Sequence, residues 1–232
     1  LAVVGYESFI AIDNGLQAFI QHADFSEEQL KSILAIYQNE AKISYRHKLI
    51  PNQNWNAAWE SNFDPIEVDG ICRIRAPFHL PDANFKFEIC IEPKMSFGTG
   101  HHETTYLMLQ QLLSMNVKDK IVLDMGCGTA VLAILAAKLQ AKAVTAIDND
   151  AWSYENSVEN CALNNNNEIE VKLGDAALLA DRKFDLIIAN INRNILLQDM
   201  KSYAAALNEN GYLLMSGFFD VDVPQLLEHA AA

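Results

Sequence analysis

Apolar residues in this chain follow two rhythms, and the switches between them outline its elements. In the second half, short continuous apolar runs alternate with stretches whose apolar positions recur every three or four residues. That alternation predicts strands buried on both faces separated by helices, hence a parallel sheet. Ile121-Val122-Leu123 ends in Asp124, turns through Gly126 and Gly128, and enters a helical pattern over 131–137. The run Ala143-Val144-Thr145-Ala146-Ile147 ends in Asp148 and is followed by a helix over 150–163. Residues 169–173 form a strand that closes on Gly174-Asp175, and a four-asparagine tail at 164–167 reads as a turn. Residues 184–189 make a further buried strand and deliver Asn190-Ile191-Asn192-Arg193-Asn194 to the carboxyl edge of the sheet. A helix over 193–208, a strand over 212–216 and a helix over 223–230 complete the pattern.

The first half is more broken. Residues 5–12 look strand-like, Asp13-Asn14-Gly15 is a turn signal, and Ser26 with Gln29 marks a helix start before Leu30, Ile33, Leu34 and Tyr37. Trp55 and Trp59 stand four apart, on one helix face, where packing is the expected role. Short β-like runs over 61–94, punctuated by Pro65, Pro77, Pro81 and Pro93, read as a linker leading to one or two edge hairpins. Three regions follow: a small α/β piece over 1–50, linker and edge segments over 51–94, and a doubly wound α/β domain over 95–232. The abrupt apolar opening implies earlier strands missing from the first piece, and the sheet is expected to lack two final strands.

Strand, glycine turn, helix, strand, acid is the layout of a nucleoside site, because bare backbone admits a ligand where a Cβ would collide. A dinucleotide fingerprint needs glycine at its first, third and sixth positions, here Gly126, Gly128 and Val131. The missing third glycine argues against NAD. The spacing acid-x-Gly-x-Gly-x-Gly, typical of S-adenosylmethionine sites, is matched by Asp124, Gly126 and Gly128, with Ala130 in the last place. A tight turn that binds nothing is the plain alternative. Asp148 is placed to accept from ribose hydroxyls, and Asp175 to reach an adenine amino group. The loop Phe97-Gly98-Thr99-Gly100-His101-His102-Glu103-Thr104-Thr105 runs into a helix over 106–115, with threonines as caps and free amides suited to a carboxylate. His101 and His102 are adjacent and diverge, so no metal is expected.

Charge and cysteines narrow the class. A formal net charge of −13 disfavours a broad nucleic-acid surface and suits a basic partner. No run of 18 apolar residues is present, so no membrane span is expected. No secretory leader is visible ahead of the first apolar run. Cys72, Cys90, Cys127 and Cys161 lack paired spacing and read as reduced, cytosolic thiols, with Cys127 a small filler in the glycine loop.

Taken together, the loop over 97–105, the segment 124–130, Asp148 and the strand tip 189–194 resemble the PrmA family, methyltransferases of large-subunit ribosomal protein eleven. The resemblance runs from the tryptophan segment to the end of the chain. It implies a class I, Rossmann-like methyltransferase domain preceded by a linker and an N-terminal substrate-recognition domain, which residues 1–50 would supply incompletely. It implies S-adenosyl-L-methionine as cofactor, with contacts falling on Thr105, Gly126, Asp148 and Asn190. The implied reaction is methylation of lysine ε-amines and an N-terminal α-amine of the ribosomal protein, by a cytoplasmic monomer. Asn190 is expected to position the reacting groups. Two departures stand out: Ala130 replaces a glycine, and 190–192 lacks the Asn-Pro-Pro-aromatic pattern of adenine and glutamine methyltransferases. Methylation of another protein or a small amine, and a cofactor-binding module without activity, remain the rival readings.

Overall fold

The computed structural model describes residues 1, 4–6, 8–12, 15–37, 43–49, 64–94, 98 and 100–230. The expected turn at Asp13-Asn14, the tryptophan pair at 55 and 59, and Phe97 and Thr99 lie outside the described residues. Two compact units result, Leu1–Ala57 and Ala58–Ala232. In the first, β1 (Ser8–Ile12) and β2 (Gly15–Phe19) pair antiparallel, with Ile12 opposite Gly15. Helix α1 (Glu27–Ile36) starts where expected, because the Ser26 hydroxyl accepts from the Gln29 amide at 3.3 Å.

The second unit begins with a three-stranded sheet of β3 (Ile66–Val68), β4 (Cys72–Arg75) and β5 (Phe87–Cys90). This corrects the expectation of a linker with edge hairpins. Only β3–β4 is a hairpin; β5 runs parallel to β4. Prolines fall between these strands, so alternation survives within them, and Val68, Cys72, Ile74, Ile89 and Ile91 are buried in the main core.

A five-stranded parallel sheet follows: β6 (Ile121–Met125), β7 (Ala143–Asp148), β8 (Glu170–Leu173), β9 (Phe184–Asn190) and β10 (Leu207–Ser216). Its order is β10-β9-β6-β7-β8. The direction of travel reverses between β6 and β9, and ligands of open α/β sheets bind at the carboxyl ends beside that switch. Helices α2 (Glu103–Ser114), α3 (Val131–Lys138), α4 (Ala151–Leu163), α5 (Arg193–Ala206) and α6 (Val223–Ala230) cover the sheet. α3 is apolar all round, and its first six residues are buried. Helix α5 ends two residues sooner than its pattern predicts. Leu207 already pairs with Phe184, and the ladder shifts register before Tyr212 pairs with Leu186.

Helix α4 carries a feature that the composition hid. Asn156, Asn160 and Asn164 lie four apart on one buried face and act as a rail for the chain beyond β5. Asn164 exchanges two hydrogen bonds with the Cys90 backbone, Oδ1 accepting at 2.9 Å and Nδ2 donating at 2.6 Å. Asn160 Oδ1 accepts from Glu92 N at 2.8 Å, and Asn156 Nδ2 donates to Glu92 O at 3.2 Å. Asn160 also donates to the carbonyl of Thr129 at 3.0 Å, linking the rail to the glycine loop. Among the described residues, no helix is long and apolar enough to cross a membrane.

Candidate active site

Five of the seven residues singled out from the sequence stand at the carboxyl ends of β6, β7 and β9 or in the turn after β6. Asp124 sits in β6, and its Oδ2 accepts from Ala133 N, inside the first turn of α3, at 3.0 Å. The N-cap residue, Ala130, has no polar side chain and a left-handed φ of 61°. The buried carboxyl therefore does the capping that Ala130 cannot. Burial pushes Asp124 up to about 7; the Ala133 amide opposes this and the Asp148 charge adds to it. The partner observed for Asp124 is thus the helix.

Asp148 ends β7 and is buried. Its Oδ2 accepts from Gly128 N at 2.8 Å and its Oδ1 from Asp150 N at 3.0 Å. Each oxygen keeps a further lone pair for a hydroxyl donor. Asp175 follows Gly174, whose amide is tied to Asp148 O at 2.8 Å, and its Oδ1 caps the short turn Ala176–Leu179 through Ala177 N at 2.9 Å. Burial holds the Cys127 thiol well above its ordinary value, as befits an inert filler. All four cysteines are free.

Gly126 has a φ of 69°, and a Cβ built there would lie closer than 3.0 Å to Ile191 Cγ2. The space that a Cβ would need on this side of the turn is taken by the Ile191 side chain. We expect Gly126→Ala to lower stability by about 2 kcal/mol, through clash and left-handed strain. Pairing it with Ile191→Ala should recover part of that loss. Strict additivity in urea unfolding of the two single variants and the double would mean that the contact does not exist.

Thr105 and Asn190, 85 positions apart, are joined: Asn190 Nδ2 donates to the buried Thr105 Oγ1 at 3.2 Å. Among the described residues Asn190 Oδ1 has no partner, although it stands at the topological switch. The expected threonine cap is not what starts α2. His102 is the N-cap, its Nδ1 accepting from Thr104 N at 3.3 Å, and Glu103 already belongs to the helix. His101 instead bonds Asp64 O at 3.0 Å. The loop before α2 docks on the glycine turn, where Thr129 Oγ1 donates to Gly98 O at 2.6 Å. Thr129, Ile191 and Gly217 were not singled out from sequence. A Cβ on Gly217 would collide with the Ile191 backbone, so this glycine fixes the strand tip. Among the described residues no group of three metal-binding side chains converges.

The donor set fits an adenosine-bearing cofactor: a carboxylate at the second strand tip with spare lone pairs, a left-handed glycine turn, and a carboxamide whose carbonyl lacks a partner among the described residues. With five parallel strands in this order, it defines a class I, Rossmann-like methyltransferase of the S-adenosylmethionine-dependent type. The family model described as "Ribosomal protein L11 methyltransferase (PrmA)" matches residues 5–231. The chain belongs to that family. The ribosomal protein L11 methyltransferase of Porphyromonas gingivalis is 48% identical over 99% of this chain and 80% of its own length. That of Chlorobaculum tepidum is 37% identical over 97% and 81%. The crystal structure of the ribosomal protein L11 methylase of Lactobacillus delbrueckii superposes with a TM-score of 0.67 at 32% identity, covering 73% of this chain and 88% of that one.

Proposed function

We infer that this chain transfers methyl groups from S-adenosyl-L-methionine to lysine ε-amines and the N-terminal α-amine of the large-subunit ribosomal protein for which its relatives are named. The observation that carries this reading is the Asn190 carboxamide. Its amino group is held by buried Thr105, which leaves the carbonyl oxygen directed to accept. A carbonyl acceptor suits an amine, which keeps an N–H to donate while its lone pair attacks. Asp148 takes the ribose hydroxyls, and the turn over 126–128 supports the nucleoside. Asp175, on the loop after β8, is assigned to the adenine amino group. Asp124 supports the turn from beneath, through α3.

When bound, the cofactor supplies a methyl group on a sulfonium, an electrophile with a good leaving group already in place. The remaining task is alignment, from which positioning supplies roughly 7–11 kcal/mol. The amine must be neutral, whereas a free lysine titrates at about 10.4. Desolvation at the strand tip lowers that value, and the released proton passes to solvent. The acceptor is a protein rather than a nucleic acid, in keeping with the net charge of −13. We assign the enzyme to the cytoplasm, as a monomer.

Incubating ribosomal proteins with the enzyme and labelled cofactor, followed by mass spectrometry, tests the reading. Methyl additions confined to the one ribosomal protein are expected, and label on free amines alone would overturn it. Asn190→Ala should lower kcat roughly 10–100-fold at saturating cofactor while the fold survives, with the melting temperature lowered only by the loss of one hydrogen bond to Thr105. Full turnover in that variant would remove Asn190 from the mechanism.

A further inference from the structure

The sheet leaves β10 in a turn that holds two apolar side chains out in solvent. Phe219 is 80% exposed and Val221 is 85% exposed, with the acid Asp220 between them. The turn is braced. Asp222 is buried; its Oδ2 accepts from Phe219 N at 3.0 Å, and its Oδ1 pairs with Arg193 Nη1 at 2.7 Å. Arg193 also donates to Asn194 Oδ1, from Nε at 3.3 Å and Nη2 at 3.1 Å. The same bracket that fixes the turn therefore neutralises the guanidinium, leaving Asp220 as its unpaired charge among the described residues. Between 192–194 and 217–219 lies an open groove of about 480 Å³.

Place and charge identify what fits there. Ser216, the last residue of β10, pairs with Asn190, so the groove, lined from Asn192 and Gly217 onward, opens directly beyond the strand tip that carries the carbonyl assigned to the amine. The nucleoside side of the site lies the other way, toward β7. Exposed apolar side chains carried on a braced turn beside a site mark a recognition surface, since a backbone fixed in advance lowers the ordering cost on binding. An acid flanked by apolar residues, on a chain of net charge −13, is complementary to a basic segment with an apolar neighbour.

We propose that the 192–194 and 217–222 groove is the docking surface for the lysine-bearing segment of the acceptor protein, with Phe219 as its apolar anchor and Asp220 as its charge selector. This rests on the methyl-transfer reading above. The test measures initial rates on the purified ribosomal protein for wild type, Phe219→Ser and Asp220→Lys, with cofactor affinity by calorimetry. Phe219→Ser should raise KM for the protein about 10-fold or more, and Asp220→Lys about threefold or more. For both, kcat, cofactor Kd and melting temperature should match wild type. Wild-type KM in Phe219→Ser overturns the proposal, as does a fall in kcat at constant KM, which would mark a structural role. Sedimentation showing a wild-type dimer that Phe219→Ser dissociates would assign the face to a second copy and also overturn it. Inactive wild type would instead refute the proposed reaction.

Discussion

Alanine at position 217 is expected to lower the unfolding free energy by about 3 kcal/mol or more and to abolish most turnover. Gly217 has a φ of 92°, which side chains rarely adopt, and its added Cβ would lie 2.7 Å from the carbonyl carbon of Ile191 and closer still to the oxygen. A flexible side chain could rotate away, but a peptide unit cannot. The backbone at 191 must therefore move, and it adjoins Asn190. Gly70 is the control. Its φ of 65° is also left-handed, but nothing lies within 4 Å of a Cβ there, so Gly70→Ala isolates the conformational cost of about 1 kcal/mol. Chemical unfolding of both variants measures the difference. Equal losses would mean that the collision at 217 is relieved without moving the strand tip.

The second expectation concerns pH. Asp124 is raised by burial to about 7 in the folded chain, against about 3.9 unfolded. Over that interval the folded state keeps a proton that the unfolded state has lost. Stability from this group is complete below the unfolded value and is lost as pH rises through the folded one, at about 1.4 kcal/mol per pH unit. Asp199 is raised in the same direction, again by burial first, and adds to the decline. Glu170, Glu88 and Asp185 are lowered, Glu170 to about 2, and act in the opposite sense at acid pH. Their contributions are complete above the unfolded carboxylate range, so the window from about pH 5 to 7 reports the raised acids. Asp124→Asn keeps an oxygen for Ala133 N and removes the ionisation. Relative to wild type the variant should gain stability steadily across that window and hold the gain above it. A difference that stays flat from pH 5 to 8 would mean that Asp124 is already ionised when folded.

The doubly wound sheet was legible because its three central strands, β6, β7 and β9, are apolar runs that carry an acid or an amide at the carboxyl end. The cap at Ser26 was legible, since a polar side chain three residues ahead of an unsatisfied amide is a local signal. The β-like runs over 61–94 were legible between their prolines, but the parallel pairing of β5 with β4 and their burial in the main core rest on contacts that no local pattern announces. His102 displaced the threonines as cap because its ring nitrogen reaches Thr104 N, a geometry that residue type alone does not announce. The dependence of Gly126 and Gly217 on Ile191 is tertiary and leaves no periodic trace. The turn read over 164–167 is there, but the Asn164 side chain also bonds a residue 74 positions away, which a reading limited to neighbours does not reach.

That asparagine rail also dictates where the chain can change length. Three amides share a face only while α4 keeps its phase, and one inserted residue rotates everything beyond it by about 100°. Such an insertion between Asn156 and Asn160 would detach the Glu92 backbone from one side or the other, and with it the lead-in to the docking loop on Thr129. The loop between β4 and β5 carries no comparable phase. Tolerated length variation in this unit should therefore gather there and be absent from the middle of the helix.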